Sequence, residues 1–139
     1  MECSSTLKDI ENAFMKRTDV ACGVVINDDG EYLITQRGSG EFSGKWEFPG
    51  GKLKSNETPF YAIKRELDEE LRIDVRPVRE LFISTFKSYN LIFIECRVIS
   101  AKIILREHQR YEWVHKNRLI EFDFLEGDKE FIKHISLCD

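Results

Sequence analysis

The sequence predicts an α+β fold in which helices flank a mixed sheet, an α/β/α sandwich. Three observations point there. Residues 20–26 form a continuous apolar run of strand length. Residues 75–87 and 91–100 are rich in Val, Ile and Phe, which favour strands. Between them, Phe60, Ile63, Leu67 and Leu71 recur at three- and four-residue spacing, the period of a helix with one apolar stripe.

In chain order, residues 6–16 read as a short amphipathic helix. Thr6 and Asp9 fit a capping box, and Leu7, Ile10 and Phe14 make the stripe. Residues 1–17 are thus an N-terminal helical extension, and residues 18–139 the main domain. After strand 20–26, Asn27-Asp28-Asp29-Gly30 signals a turn and residues 31–37 return as the paired strand. Residues 38–45 are rich in Gly and Ser and read as a loop over the site. Trp46-Glu47-Phe48-Pro49-Gly50-Gly51-Lys52 joins a short apolar strand to a sharp turn, where two glycines admit close approach of backbone to a ligand. Thr58 and Pro59 start the main helix, the hydroxyl as cap and the proline at the first position. Lys87-Ser88-Tyr89-Asn90 links the two long strands as a hairpin. Short strands over 102–105 and 111–114, then helices over 116–120 and 128–135, complete the chain.

Composition narrows the function. With 139 residues, 42% hydrophobic and ten Phe, the chain makes one domain with a real core. A net charge of −4 and a pI near 5.5 argue against a general nucleic-acid binder. Cys3, Cys22, Cys96 and Cys138 are scattered with no C-x-x-C pair, so free thiols in a reducing cytoplasm are expected. The first residues lack the pattern of a signal peptide, and no apolar stretch is long enough to span a membrane. His108, His115 and His134 lack close His/Cys spacing and read as surface or partly buried residues.

The chemistry is concentrated in one frame: Gly51, five residues, Glu57, seven residues, then Arg65-Glu66-Leu67-Asp68-Glu69-Glu70. Glu66, Glu69 and Glu70 lie three and four apart, so they are neighbours on one helix surface. Like charges there repel, and a hard cation such as Mg²⁺ or Mn²⁺ reverses the sign. Mg²⁺ typically takes one or two carboxylates plus substrate phosphates, and this ledge suits it. Glutamates alone would read as a solvated face. The whole frame, with its fixed residue types at fixed offsets, arises by chance below about once in ten million start points.

The stretch resembles the Nudix box, G-x5-E-x7-R-E-U-x-E-E-x-G-U, with Leu67 and Ile73 at aliphatic positions. Arg72 stands where that family usually has glycine, so the helix end is expected to differ. The run WEFPGGK and the tail Trp113-Val114-His115, Leu119, Phe122-Asp123-Phe124 and Asp128 resemble the MutT-like branch, and the similarity covers residues 18–135. That resemblance implies Mg²⁺-dependent hydrolysis of a nucleoside triphosphate to a monophosphate and pyrophosphate. It implies sanitation of oxidised nucleotides such as 8-oxo-dGTP, or a (d)CTP or 5-methyl-dCTP pyrophosphohydrolase. A non-catalytic nucleotide-sensing module is the alternative of another class, disfavoured by the intact acidic residues. It further implies Gly50 (carbonyl), Glu66, Glu69, Glu70 and Glu107 as metal ligands, with Glu112 close to the last position. Glu66 or Glu107 takes the water proton. Arg65 and Glu57 form an ion pair that orients the helix. Arg37, Phe48, Lys52 and Asp128 contact substrate, as Phe42 and Tyr89 could by stacking. As an aromatic in an apolar run, Phe48 reads more as core than as a stacking residue. Asp128 takes a position where 8-oxo-dGTP enzymes carry asparagine; it reads equally as the N-cap of the last helix. The expected assembly is a monomer or homodimer in the cytoplasm, with no stable nucleic-acid or membrane partner.

Overall fold

The computed structural model describes residues 17–137, and the helix expected over 6–16 lies outside them. The described elements run β1 Thr18–Ile26, β2 Tyr32–Arg37, β3 Trp46–Glu47, β4 Gly50–Lys52, α1 Pro59–Leu71, β5 Ile73–Phe86, β6 Tyr89–Ala101, β7 His108–Val114, a 3-10 helix Lys116–Glu121, and α2 Glu126–Ser136. The strands form one mixed sheet in the order β3-β2-β1-β6-β5, with β4 added to β1 and β7 to β2. β1 and β6 are parallel; the other pairs are antiparallel.

The unbroken apolar character of β1 has a structural reason: both of its faces are covered. Ala21 and Val25 turn to one core with Leu33, Ile63, Leu67, Leu71 and Ile94, beneath α1. Cys22 and Val24 turn to the other with Trp46, Phe48, Phe93, Phe124 and Phe131, beneath α2. The first core is aliphatic and the second largely aromatic, with Phe93 stacked on Phe131 at 4.4 Å between ring centres. The expected sandwich is therefore present.

Four local expectations are corrected. Residues 102–105 form no strand; Ile104 instead donates its N–H to the Leu71 carbonyl at 3.0 Å, closing the end of α1. Phe60 is 38% exposed, and Ala62 takes its place in the buried stripe. The helix end does not differ: Arg72 itself adopts the left-handed conformation (φ 57°, ψ 40°) that glycine would supply. That conformation costs a side-chain-bearing residue roughly 1 kcal/mol. Gly50 and Gly51 form strand β4, not a sharp turn. A Cβ on Gly50 would lie 1.9 Å from the Ala21 carbonyl oxygen, and one on Gly51 would lie 2.2 Å from Glu66 Oε2. The glycines let strand and helix close on each other.

Candidate active site

The caps of α1 form as its sequence indicates. Thr58 Oγ1 accepts the Tyr61 N–H at 3.2 Å, and Pro59 occupies the first position. One turn and a half later, Arg65 grips Glu57 with a two-pronged fork: Nε bonds Oε2, and Nη2 bonds Oε1 at 2.8 Å. Its Nη1 reaches Glu66 Oε1 at 2.8 Å and Glu69 Oε1 at 2.9 Å. The hydrogen bond from Arg65, helped by one from the Lys54 N–H at 2.7 Å, pulls the Glu57 carboxyl down to about 2. Arg65 also donates to the Lys52 carbonyl at 3.3 Å, which ties α1 to β4.

Glu70 behaves differently from its neighbours. It lines a cavity of about 450 Å³ with Gly50, Glu47, Arg37, Glu107 and His108. Burial, then the nearby Glu66, then Glu107 and Glu47, push its carboxyl up to about 9. Its Oε2 is buried and has no partner. Glu69, by contrast, has a side chain 53% exposed and turned to Arg65. Among the described residues, no three His, Cys, Asp or Glu side chains gather closely enough to hold an ion by themselves. The donors nonetheless suit a hard cation that shares its shell with phosphate: an orphaned carboxylate oxygen, further carboxylates and a glycine backbone, all oxygen chemistry.

A second cavity, of about 770 Å³, adjoins the first and shares Arg37, Glu47 and Gly50 with it. Its walls include Phe42, Phe86, Tyr89 and Leu91, and Lys52 lies 5.7 Å from the centre of the Tyr89 ring. Asp128 is the buried carboxyl on this wall, 5% exposed. It is not the cap of α2, since Leu125 holds that position without a side-chain hydrogen bond. Asp128 instead accepts the Phe48 N–H at 3.1 Å. Burial, followed by repulsion from Glu47, raises its carboxyl well above the ordinary range. Phe48 is 3% exposed and packs on Phe124 and Phe131, so its ring belongs to the core while its segment borders the cavity.

Two residues of this site carried no clear sequence signal. Glu47 accepts Arg37 Nη1 at 3.2 Å on one oxygen and lies 3.0 Å from His108 Nε2 on the other. His108 is partly buried, as expected, with only 5% of its side chain exposed. It sits opposite Arg37 because β7 pairs with β2, with a bulge at Gln36/Arg37. Alternation in β3 sends Trp46 to the core and Glu47 toward the site, and that weak signal alone was available for Glu47.

An α+β sheet that sets a carboxylate-bearing helix against a glycine strand, beside one charged and one apolar cavity, defines a hydrolase built for phosphate-containing substrates. The chain belongs to the NUDIX family, whose NUDIX domain it matches over residues 15–135. It is 31% identical to an 8-oxo-dGTP diphosphatase of Buchnera aphidicola, over 79% of this chain and 86% of that one. It is 41% identical to a CTP pyrophosphohydrolase of Escherichia coli, over 43% of this chain and 44% of the relative. Several other curated relatives are likewise matched over about half their length. Among solved structures, MutT from Aliivibrio salmonicida and Vibrio cholerae superposes with a TM-score of 0.71 at 32% identity, covering 86% of this chain and 97% of that chain.

Proposed function

We propose that this enzyme hydrolyses a (deoxy)nucleoside triphosphate to a monophosphate and pyrophosphate, with Mg²⁺ or Mn²⁺ as cofactor, and that it clears oxidised nucleotides such as 8-oxo-dGTP. The observation that carries this reading is the orphaned Glu70 oxygen in a charged cavity that shares Arg37, Glu47 and Gly50 with an apolar cavity holding one buried carboxyl. The first suits a polyphosphate with its cation, the second a base. The relatives' names support the same reaction class.

Glu70 and the Gly50 carbonyl would hold the cation, with Glu66, Glu69 and Glu107 completing the shell as phosphate arrives. When bound, the cation neutralises phosphate charge and makes water a better nucleophile. Arg65 and Glu57 fix the pitch of α1, so that Glu70 faces the cavity and not solvent. Glu66 or Glu107 accepts the proton of the attacking water. Arg37 donates to phosphate oxygens. Lys52 and the segment of Phe48 border the nucleoside, and Asp128 reads the base. The two thiols Cys22 and Cys96, both buried and free, fit a cytoplasmic setting.

A second reading has its own observation. Asp128 puts a carboxyl where an amide would put an N–H₂ group and one carbonyl oxygen, and a carboxyl keeps an accepting oxygen in either charge state. The exocyclic amine of cytosine is a matching donor, so a (d)CTP or 5-methyl-dCTP pyrophosphohydrolase is the runner-up. Pyrophosphate release with Mg²⁺, compared by kcat/KM across 8-oxo-dGTP, dGTP, dCTP and 5-methyl-dCTP, tests both. An 8-oxo-dGTP value above dGTP and the cytidines supports the first; cytidines on top supports the second; no release from any sinks both.

A further inference from the structure

We propose that Gly127 is a positioning residue: by letting Leu91 close on the first turn of α2, it sets the size of base that the apolar cavity accepts. The inference rests on the hydrolase reading above and deepens it. Gly127 is buried in α2 and lines the apolar cavity with Leu91 and Phe86. Its backbone is ordinary helix, whereas Gly30, Gly40 and Gly44 have positive φ. A left-handed turn therefore gives no reason for glycine here, and glycine in a helix is less stable than alanine. The reason is a close approach. A Cβ on Gly127 would stand 2.6 Å from Leu91 Cδ1 and 3.6 Å from Phe86 Cβ, while one on Gly30, Gly40 or Gly44 would meet open space.

Leu91 sits on β6, beside Val20 of β1 and Ser84 of β5. Its inner flank is closed. Phe93, two residues on and so on the same face, stacks on Phe131, and both rings are fully buried. An interior packed at that density has no room for a displaced methyl. The other flank is the cavity itself, which Leu91 and Val20 both line. A side chain at position 127 therefore sends the Leu91 methyl into the space a base would fill. One methyl group more or less in an apolar pocket changes discrimination about tenfold. A two-ring base needs the full width of the slot and loses more than a one-ring base. The charged cavity, where phosphate reacts, does not include Leu91 or Gly127. Asp128 follows Gly127 directly, and its bond to the Phe48 N–H holds this turn of α2 against the cavity. The wall and the carboxyl that reads the base are thus placed together.

Three variants separate this role from a purely structural one, each read as the ratio of kcat/KM for dGTP over dCTP. Gly127→Ala is expected to lower the ratio about tenfold, through a higher KM for dGTP with kcat within about threefold of the unaltered enzyme. An unchanged or raised ratio, or a loss carried by kcat on both substrates, overturns the proposal. Leu91→Ala opens the same wall with Gly127 intact, and is expected to raise the ratio about threefold, since a wider slot loses its grip on the smaller ring first. An unchanged or lowered ratio there overturns the proposal, whether or not G127A folds. In the double variant the methyl in the way is gone, so adding G127A to L91A should move the ratio by less than about twofold. A tenfold shift that persists in the L91A background runs through Asp128 or α2 instead, and overturns the proposal. Absence of pyrophosphate release from the unaltered chain overturns the hydrolase reading, and this inference with it. Release with a ratio that ignores all three variants overturns the inference alone.

Discussion

The cavity of about 450 Å³ is walled by Glu70, Glu107, Glu47, Arg37 and Arg106; that of about 770 Å³ is walled mostly by apolar side chains around Asp128. They meet at Arg37, Glu47 and Gly50. The charged one is assembled from the end of β2 and the loop after it, β3, β4, the end of α1 and the start of β7, and only Gly50 and Glu70 belong to the β4–α1 stretch that Arg65 holds together by bridging Glu57 and the Lys52 carbonyl. The apolar one is assembled from β1, the segment before α1, the β5–β6 turn and the start of α2. Both cavities are thus built from distant parts of the chain, but carboxylates and arginines are gathered in one and apolar side chains around a single buried carboxyl in the other. Chemistry and selectivity should separate by mutation.

The largest effect is expected at the charged cavity. Glu70→Gln should cut kcat by about a thousandfold, the loss of several kcal/mol of charge stabilisation, while the Tm holds or rises. An active E70Q enzyme would remove the distinction between the cavities. Next is the support of that cavity. Glu57→Gln weakens the fork from Arg65, and activity should fall about ten- to a hundredfold at unchanged base preference.

At the other cavity the outcome should change in kind. Asp128→Asn is expected to alter the ratio of kcat/KM between 8-oxo-dGTP and 5-methyl-dCTP by about tenfold, toward the oxidised purine, with kcat for the better substrate little changed. Equal losses on both substrates would merge the two roles. The same substitution has a pH signature. The buried Asp128 carboxyl titrates above its unfolded value, so the native state binds a proton that the unfolded chain has released. Stability conferred by this group is therefore present at low pH and falls as pH climbs from about 4 toward the raised native value, by at most about 1.4 kcal/mol per pH unit. Tm measured from pH 4 to 7 should decline more in the wild type than in D128N; parallel curves would show that the carboxyl is not held neutral.

The smallest effect is a control remote from selectivity. Arg72→Gly relieves the left-handed arginine and gives up only an exposed contact of 3.7 Å with Asp68. Stability should rise by roughly 1 kcal/mol, about 3 °C in Tm, with substrate ranking untouched.

Contacts close along the chain were legible in the sequence, and those across the fold were not. The start of α1 at Thr58 and Pro59, its stripe and the pairing of Arg65 with Glu57 lie within about fifteen residues, where spacing and local chemistry decide. Even there, Phe60 followed the period but sits too near the helix start to be covered. The double glycine was legible as a special place, but its reason was not, because the clashes are with Ala21 and Glu66 across the fold. Nothing local announced that Arg37 would face His108, since that register joins β2 to β7 through a bulge. Asp128 drew two readings, and only the placement of Phe48 decided against the cap.

One bond described above bears on how the protein comes to exist. The Phe48 N–H and Asp128 stand 80 positions apart, His108 and Glu47 stand 61 apart, and the central strands β1 and β6 run side by side across a comparable gap. Distant pairings close slowly, after local turns and helices have formed. A nascent chain that has not yet made α2 would display a well-made acidic ledge with no complete chamber for a base, so the enzyme should acquire discrimination only once α2 has emerged and docked.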